Sequence, residues 1–401
     1  MSLKIALVHD WLTGMRGGEY VLEAISEVFP KADLFTLLAQ PKKISPLLTA
    51  MKTKTSLLQA VPGIEDSYRK FLPVMPWVIE RFDLSKYDLI ISSSHCVAKG
   101  VRKSPKAVHI SYVHAPMRYI WDRFEDYFGE GRTSPVMRWA AARLRKPLQN
   151  WDRSVSTPER VDHFIANSRY IAAQIQSAYG REAEVIHPFA DLSRFVLPRK
   201  PGNYYLMVGA FAPNKRVDIA IEAFNRLRLP LWIVGSGQDQ KRLQSLAGST
   251  IKFLGHLDND EIDRLYAECK AFVFPGLEDF GITPLEAMAS GAPVVAYGLG
   301  GVLDSIVPGE TGIFFEPQTP DALVEAIQKI EQGQIQWNEK DCRARAQIFS
   351  RPRFQAEMVR SIFKTWKNAG KSPTELMESV RLGWSSVAKE TVKELPLSLF
   401  K

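Results

Sequence analysis

The strongest constraint on the fold is a repeated alternation of short, apolar, β-branched runs with loops or segments of helical periodicity. Ten such runs occur along the 401 residues: KIALVH, DLIISSS, AVHISYVH, DHFIAN, AEVIH, YYLMVG, PLWIVG, IKFLG, AFVFP and APVVAY. Strands this short and this apolar are typical of parallel sheets that are covered by helices on both faces. The pattern therefore predicts an α/β fold.

One segment, PFADLSRFVLPRKPGN, interrupts the alternation with three prolines and a glycine. We therefore predict two Rossmann-like domains, over residues 1–195 and 196–350, with the carboxyl ends of their strands at a shared cleft. The segment RPRFQAEMVRSIFKTWKNA predicts an amphipathic helix over 351–369 that returns to the first domain. Residues 370–401 form a C-terminal extension whose role the sequence leaves open.

Composition and cysteine usage exclude several classes of protein. Hydrophobic residues make up 45% and charged residues 24% of the chain, as in ordinary globular proteins. The cysteines, Cys96, Cys269 and Cys342, lack the paired spacings of a disulfide framework or a metal site, which favours reduced thiols. The apolar run in MSLKIALVHDWL is too short for a signal peptide or a membrane span. We expect a cytoplasmic protein.

The formal charge of +8 is concentrated in part in GRTSPVMRWAAARLRKPLQNWDR. No RNA-binding signature, zinc-finger spacing or heptad run accompanies it in the sequence, so we expect no nucleic acid partner. The cations of this segment are Arg132, Arg138, Arg143, Arg145, Lys146 and Arg153. Its apolar residues recur at helical spacing: Met137, Ala141, Leu144, Leu148 and Trp151. Such a helix can pack on its own domain or lie on an anionic membrane surface, and both interpretations stay open.

A glycine-rich turn, HDWLTGMRGGEYVLEAI, follows the first predicted strand and opens a helix. Backbone N–H groups at Gly17 and Gly18, together with the positive end of the helix, could face an anion. A tight turn without a ligand is the alternative. His9 borders this turn and is either a core residue or a contact to substrate.

The stretch LEDFGITPLEAMASGAPVVA places two glutamates, Glu278 and Glu286, around a short loop before a helix. The backbone N–H groups at this helix start are candidates for a phosphate cradle. The candidate loop residues are Phe280, Gly281, Ile282, Thr283 and Leu285. A carboxylate beside a phosphate would be repelled, so each glutamate is better suited to accept hydrogen bonds from hydroxyls. A ribose diol at Glu286 and a hexose at Glu278 would fit.

A phosphate site also needs cations, and NKRVDIAIEAF supplies Lys215 and Arg216 after a strand of the second domain. A different polar pair, Asp258 and Asp260 in LDND, superficially suggests a metal site. Because EIDRLYAEC follows it, helix capping is the better interpretation. We predict no metal and no cofactor.

At EDFGITPLE the chain resembles a known family. This stretch matches the motif of two glutamates separated by seven residues in retaining glycosyltransferases of the GT-B fold, family 4 (group 1). The resemblance extends from HDWLTGMRGGE through VGSGQD and FLGHL to the helix over 351–369. YVHAPMRYIWD and NKRVDIAIEAFN are most similar to bacterial polysaccharide and lipopolysaccharide mannosyltransferases.

The resemblance implies roles for individual residues. Glu286 would hold the nucleotide ribose, Glu278 would lie beside the transferred sugar, and Lys215 would contact the diphosphate. The other implied donor contacts are His114 on the sugar hydroxyls, Gly17 and Gly18 in the N-terminal loop, and Gly235 and Leu257 at the base. Many members carry arginine where this chain has Ala210, a departure for which Arg216 could compensate.

The resemblance implies a metal-independent, retaining transfer of a hexose. The first expectation for the donor is GDP-mannose and the second is a UDP-sugar. The acceptor would be a lipid-linked saccharide or an oligosaccharide in surface polysaccharide synthesis, with the enzyme peripheral on the anionic inner membrane face. A nucleotide-sugar 2-epimerase of the same fold and a non-catalytic scaffold of glycan assembly are the alternatives.

Overall fold

The computed structural model describes residues 3–129 and 133–383, which fall into two compact units. The first unit comprises the chain up to His187 and from Pro352 onward, and the second is Pro188–Arg351. Pro188–Phe195, which we assigned to the first domain, therefore lies in the second unit. Arg132 and residues 384–401 of the predicted extension lie outside the described residues.

The first unit is built on a seven-stranded parallel sheet with the order β3-β2-β1-β4-β5-β6-β7. The strands are β1 (Ile5–His9), β2 (Asp33–Thr36), β3 (Thr53–Thr55), β4 (Leu89–Ser94), β5 (Val108–Val113), β6 (His163–Ala166) and β7 (Glu184–Val185). The order reverses between β1 and β4. In parallel sheets of this kind, ligands bind at the carboxyl ends of the strands where the order reverses.

Helices connect these strands. They are α1 (Gly17–Val28), α2 (Pro46–Ala50), α3 (Ile64–Ser67), α4 (Met75–Ile79), α5 (Phe124–Phe128), α6 (Pro135–Ser154) and α7 (Arg169–Tyr179). Short 3-10 helices occur at Pro41–Lys43, Leu57–Ala60, Tyr68–Phe71 and Ala98–Gly100.

The second unit repeats the same plan with six parallel strands in the order β10-β9-β8-β11-β12-β13. The strands are β8 (Tyr205–Val208), β9 (Leu231–Val234), β10 (Ile251–Gly255), β11 (Phe272–Phe274), β12 (Val294–Tyr297) and β13 (Gly312–Phe315). The helices are α8 (Val217–Leu227), α9 (Gln240–Leu246), α10 (Asn259–Glu268), α11 (Ile282–Ala289), α12 (Val302–Ser305), α13 (Pro320–Glu331) and α14 (Glu339–Gln347), with 3-10 turns at Leu192–Arg194 and Pro213–Lys215. Here the order reverses between β8 and β11.

Both faces of the second sheet are buried, as continuous apolar strands predict. Leu206 packs in one hydrophobic cluster and its neighbour Met207 in another, because successive side chains of a strand point to opposite faces. Val294 and Val295 divide between the same two clusters. Because both faces are covered, polar loops can reach the second sheet only at the ends of its strands.

The last helices are α15 (Arg351–Asn368) and α16 (Pro373–Gly383), and from Pro352 onward they belong to the first unit. Phe354, Met358 and Ile362 of α15 line the same small apolar recess as Val28 and Phe29 at the end of α1. Gln355 Nε2 donates to the Ala24 carbonyl oxygen at 3.0 Å. The return helix therefore completes the core of the first unit.

All ten strands expected from the sequence are present, which confirms the α/β prediction. Three more, β2, β3 and β13, were not predicted. The β3 strand has the sequence TKT, is only partly buried and lies at the sheet edge, so neither hydrophobicity nor length marks it. Strands β2 and β13 have four residues each, and runs this short cannot be assigned to a strand by periodicity alone.

The basic helix α6 is packed over only part of its length. Leu148 near its C-terminal end is buried, and Trp151 Nε1 donates to Glu80 Oε1 at 2.7 Å. In its N-terminal half, Val136 is 76% and Trp139 62% exposed. The packed interpretation is therefore right for the second half alone. No helix among the described residues is long and apolar enough to cross a membrane.

Candidate active site

The second unit gathers charged side chains at the carboxyl ends of β8 and β11, where its strand order reverses. Lys215 ends the 3-10 turn after β8, and Glu278 follows β11. Lys215 lines a recess together with Gly209, Ala210 and Pro275. This is the topological position at which ligands bind in sheets of this kind.

Glu278 and Lys215 are in direct contact. Lys215 Nζ donates to Glu278 Oε1 at 2.9 Å, and Asn214 Nδ2 donates to the same oxygen at 2.7 Å. Both partners of this ion pair are largely shielded, with side-chain exposures of 29% for Lys215 and 15% for Glu278. An anion that binds Lys215 would compete with Glu278, whereas Asn214 would keep the carboxylate in place.

The second glutamate, Glu286, sits one turn into α11 and is held by a separate network. Tyr266 OH donates to its Oε2 at 3.0 Å, and Arg194 Nη1 lies 3.8 Å from its Oε1. The same arginine donates to Asp263 Oδ1 at 2.6 Å. Burial raises the pKa of Glu286 above its ordinary value, and the Arg194 charge opposes that rise. The carboxylate is thus fixed in orientation and has acceptor capacity for hydroxyl donors.

The loop before α11 presents backbone rather than side chains. Gly281 precedes the helix with φ +94°, a conformation that favours glycine. Ile282 and Thr283 open the helix and are half-buried. Phe280 and Leu285, by contrast, are buried in the core of the second unit. A ligand at this helix start would therefore meet the N–H groups of the predicted cradle and not the Phe280 or Leu285 side chains.

Arg216 is engaged by its own neighbours. It adopts φ +48° at the start of α8, and its Nε donates to Asp218 Oδ1 at 3.2 Å. Its Nη1 donates to Gln318 Oε1 at 3.4 Å. These contacts direct the guanidinium to Asp218, so Arg216 would have to exchange them for any contact with a ligand near Ala210.

The two residues expected near the nucleotide base lie at the ends of neighbouring strands. Gly235 follows β9, has φ +132° and donates its N–H to the Gly255 carbonyl oxygen at 2.7 Å. A Cβ at this position would lie 2.0 Å from the Gly209 carbonyl oxygen, so a side chain is excluded. Leu257 follows β10 and packs on the core. Both therefore border the same sheet edge as Lys215.

The first unit has its own polar cluster where its strand order reverses. The helix α1 begins at Gly17, and the Cβ position of Gly18 lies 3.5 Å from His114 Nε2 and 3.7 Å from His9 Cε1. Ser93, the fifth residue of β4, bridges the two histidines. The structure therefore brings Gly17, Gly18 and His114 together.

Asp10 fixes the turn that follows β4. Its two carboxylate oxygens accept four backbone N–H groups, those of His95, Cys96, Val97 and Ala98, at 2.6 to 3.0 Å. Asp10 is fully buried. A carboxylate with this many backbone donors rigidly links the end of β1 to the end of β4.

Asp258 caps α10. Its side chain accepts the Glu261 N–H at 2.9 Å, and Glu261 Oε2 accepts the Asp258 N–H at 3.1 Å, a capping box. The capping interpretation of LDND is confirmed for Asp258, and Asp260 lies in the first turn. Within residues 3–129 and 133–383, no group of three or more potential ligands could hold a metal ion.

Several residues of these clusters were missed by the sequence analysis. Asn214 adjoins Lys215, and its amide next to the motif cation is a signal that could have found it. Arg194, Tyr266 and Ser93 offer no local signal. They reach the site only because the fold closes sequence separations of 20 residues between Tyr266 and Glu286 and 84 between His9 and Ser93.

Comparisons with known proteins agree with this architecture. The model of Glycosyltransferase Family 4 matches residues 39–194, and that of Glycosyl transferases group 1 matches residues 190–348. The lipopolysaccharide outer core galactosyltransferase WaaB shares the fold with a TM-score of 0.62 and 18% sequence identity, over 92% of this chain and 99% of that one. The fold is GT-B, as predicted. Both family domains and the fold are those of glycosyltransferases.

Two curated relatives that match this chain are named mannosyltransferases. The O-antigen chain mannosyltransferase C of Escherichia coli is 29% identical over 232 residues, 53% of this chain and 60% of its own length. The GDP-mannose-dependent alpha-mannosyltransferase of Mycolicibacterium smegmatis is 38% identical over 126 residues, 30% of this chain and 33% of its own length. The chain spans about half the length of the curated relatives it matches.

Proposed function

We propose that this glycosyltransferase moves a hexose from a nucleotide sugar to a lipid-linked saccharide or an oligosaccharide, with retention of configuration. The observation that carries the proposal is the contact between Lys215 and Glu278 beside the helix start at Gly281. A cation and N–H dipoles suit a diphosphate, and an oriented carboxylate suits sugar hydroxyls. Glu286, held by Tyr266, would accept the ribose hydroxyls.

Charge development favours this assignment of roles. Breaking the bond between sugar and diphosphate places positive character on the sugar and negative charge on the leaving oxygen. Lys215 and the N–H groups at the start of α11 would stabilise the leaving oxygen. The acceptor's proton would pass to the departing phosphate on the same face of the sugar, which gives retention. We expect no metal to be needed.

GDP-mannose is the proposed donor because two of the relatives are named mannosyltransferases, one of them GDP-mannose-dependent. The test is a thermal-shift series with GDP-mannose, GDP, UDP-sugars and ADP-sugars, each with and without EDTA. A bound ligand raises the unfolding midpoint, so a GDP-mannose response that EDTA does not change is expected. A response to UDP-sugars alone would contradict the mannosyl assignment.

Activity distinguishes the transferase from its alternatives. Neither curated relative described above is named an epimerase or a scaffold. A transferase should release GDP only when an acceptor from a panel of lipid-linked and free oligosaccharides is present. Conversion of the donor into an epimeric nucleotide sugar without acceptor would instead support the epimerase. Failure of every nucleotide sugar to bind would support the scaffold.

We also propose that the N-terminal half of α6 docks the enzyme on an anionic membrane face. Trp139 is 62% exposed, and Arg143 stacks over it with the guanidinium 5.1 Å from the ring centroid. Val136 and Met137 are exposed on the same turn as Trp139, Arg138 there is paired with Glu125 at 3.4 Å, and Lys146 adds positive charge to the following part of the helix. Apolar side chains beside cations are the combination that binds anionic lipid headgroups.

Vesicle sedimentation tests this docking. The protein should bind phosphatidylglycerol vesicles more strongly than phosphatidylcholine vesicles, and added salt should weaken the binding. Trp139→Ala should reduce it. Trp77→Ala is the matched control, because Trp77 is 55% exposed and also stacks with an arginine, Arg81, but lies outside α6. Equal losses in the two variants would contradict a role specific to α6.

A further inference from the structure

Three side chains at the carboxyl ends of neighbouring strands in the first unit form a continuous hydrogen-bonded row. His114 Nε2 lies 2.8 Å from Ser93 Oγ, and the same oxygen lies 3.1 Å from His9 Nδ1. His9 is fully buried, and Ser93 is 1% exposed. The row therefore runs inward from His114 and is shielded from water.

The serine couples the two imidazoles because its hydroxyl carries a single proton. If Ser93 donates to His9 Nδ1, it must accept from His114 Nε2, which then carries a proton. If it donates to His114 Nε2, it must accept from His9 Nδ1. Burial holds the pKa of His9 at about 4 and lowers that of His114 well below its ordinary value. Both rings are then neutral near pH 7, and their remaining freedom is the choice of tautomer.

The inner end of the row faces a carboxyl group. His9 Nε2 is buried and makes no hydrogen bond among the described residues. The Glu19 Oε1 atom lies 4.0 Å from it, on the first turn of α1. Because a buried polar atom without a partner is destabilising, a slight approach of Glu19 to His9 would be favourable in either protonation state. The other Glu19 oxygen accepts the Arg16 N–H at 3.2 Å.

We propose that Glu19, His9 and Ser93 are positioning residues that set which ring nitrogen of His114 carries the proton. With Glu19 ionised, His9 Nε2 carries a proton toward it, Ser93 donates to His9, and His114 donates from Nε2. With Glu19 protonated, Glu19 donates to His9 Nε2, and each bond in the row reverses. His114 then carries its proton on Nδ1. No net charge moves along the row beyond the proton that Glu19 gains or loses.

The environment of Glu19 places this change near neutral pH. Burial raises its pKa to about 7, and the nearby Asp10 carboxylate adds to the rise. The Arg16 charge and the hydrogen bonds at the start of α1 act in the opposite direction. His9 faces it from β1, and His95 in turn faces His9 with ring centroids 5.8 Å apart.

A neighbouring histidine shows what a fixed tautomer looks like. His109 Nδ1 lies 2.8 Å from the Arg160 carbonyl oxygen, which can only accept, so this nitrogen carries the proton. His109 Nε2, 2.9 Å from Ser92 Oγ, must then accept. The Arg160 carbonyl thus fixes the roles of both His109 nitrogens, whereas those of the His9 nitrogens depend on Glu19. His109 is therefore an internal reference.

For the reaction, the row determines whether His114 Nδ1 donates a hydrogen bond to a sugar hydroxyl or accepts one from it. This consequence rests on the proposed function together with the role that the family resemblance implies for His114, a contact to the hydroxyls of the donor sugar. The tautomer itself does not depend on any donor. It can be measured on the protein alone, so failure of the proposed function and failure of the relay are separate results.

The experiment is long-range 1H–15N NMR of the full chain labelled with 15N-histidine, from pH 6 to pH 8. The His114 nitrogen signals, assigned with His114→Gln, should exchange from the Nδ1–H pattern to the Nε2–H pattern as the pH rises. The His109 signals should not exchange. Glu19→Gln, which keeps an oxygen for the Arg16 N–H and an N–H for His9, should hold His114 in the Nδ1–H pattern throughout.

Ser93→Ala should uncouple the histidines, so that the His114 pattern no longer follows Glu19. Ser111→Ala is the matched control, because Ser111 lies on β5, is buried, and its hydroxyl has no hydrogen-bond partner among the described residues. A His114 pattern that stays constant from pH 6 to pH 8 in the unsubstituted protein would overturn the relay. An exchange that persists unchanged in Glu19→Gln would overturn it equally.

Discussion

The two sheets carry polar side chains at equivalent topological positions, but those of the first sheet are uncharged and those of the second are charged. Where the first strand order reverses, His9, Ser93 and His114 form an uncharged row that burial keeps neutral. Where the second reverses, Lys215 pairs with Glu278 in a charged contact. The second unit is thus equipped for a ligand that brings charge. The first unit offers neutral hydrogen-bonding groups. Whether each of them donates or accepts depends on which atom carries the proton, and not on how many protons are bound.

The largest effect should come from removing the charge of Glu278. Glu278→Gln keeps the shape and one oxygen for Asn214 but removes the negative charge beside the proposed sugar. Loss of one preorganised electrostatic contact typically costs about 10²–10³ in kcat. We expect transfer to fall by at least about 100-fold, with donor binding changed little, measured by initial rates and thermal shift.

The same change at a surface glutamate of the second unit is the control for that substitution. Glu222, on α8, is exposed and pairs with Arg226. Glu222→Gln should leave the rate within about twofold, because surface ion pairs contribute little. If Glu278→Gln kept full activity, the negative charge of Glu278 would have no role in the reaction.

Removal of the Lys215 charge should weaken donor binding next. Charge-assisted hydrogen bonds contribute about 1.5–3 kcal/mol, so Lys215→Met should raise the donor concentration at half-maximal rate by about 10- to 100-fold. Arg216→Met sharpens the comparison, because the Arg216 guanidinium already donates to Asp218. A loss in Arg216→Met as large as that in Lys215→Met would show that Arg216 compensates for Ala210.

Lowering the pH should reduce the free energy of unfolding, because buried histidines of the first unit stay neutral in the folded state. Burial lowers the pKa of His9 and His109 to about 4 from an ordinary 6.5. Between these values the unfolded chain binds more protons, so stability falls as the pH drops from about 6.5 to 4, by about 1.4 kcal/mol per proton and pH unit. Urea unfolding followed by tryptophan fluorescence at pH 7 and pH 5 measures it.

Glu19 should act in the opposite direction over a neighbouring range. Its pKa of about 7 exceeds the ordinary 4.5, so its contribution to stability is complete below pH 4.5 and is lost as the pH rises through 7. Glu19→Gln removes this contribution. The acid-induced loss of stability should therefore be steeper in Glu19→Gln than in the unsubstituted chain, and an equal or shallower loss would contradict the raised pKa.

The smallest effect is expected at Asn214. Asn214→Ala leaves Glu278 with Lys215 but without the amide that donates to the same oxygen. The lost donor is uncharged and the carboxylate keeps its ion pair with Lys215, so we expect a loss of about 0.5–1.5 kcal/mol, or 2- to 10-fold in rate. Asn225→Ala, which removes an amide elsewhere in the second unit, is the control for the loss of an asparagine.

The contrast between the two sites also explains which parts of the fold and of the site could be predicted from the sequence. Most strands and both sheets were predictable, since buried parallel strands are locally apolar and bounded by turn residues. Glu278 and Glu286 lie eight positions apart in one loop and helix, so they are recognisable as a linear motif.

The remaining site residues depend on the fold. Ser93 reaches His9 across 84 positions, and Arg194 reaches Asp263 across 69. Nothing in their local sequence distinguishes a serine that bridges two histidines from a serine at the end of any strand. The burial of Phe280 and Leu285 likewise depends on packing against distant residues such as Phe349.

The return helix α15 has a consequence for biosynthesis. The second unit is one uninterrupted stretch, Pro188–Arg351, whereas the first is divided around it. A chain emerging from the ribosome can therefore fold the second unit once Phe349, the last residue of its core, has emerged. The first unit, although made earlier, must wait for Phe354, Met358 and Ile362 before the end of α1 is covered. Nascent-chain folding should thus run opposite to the usual N-terminal-first order.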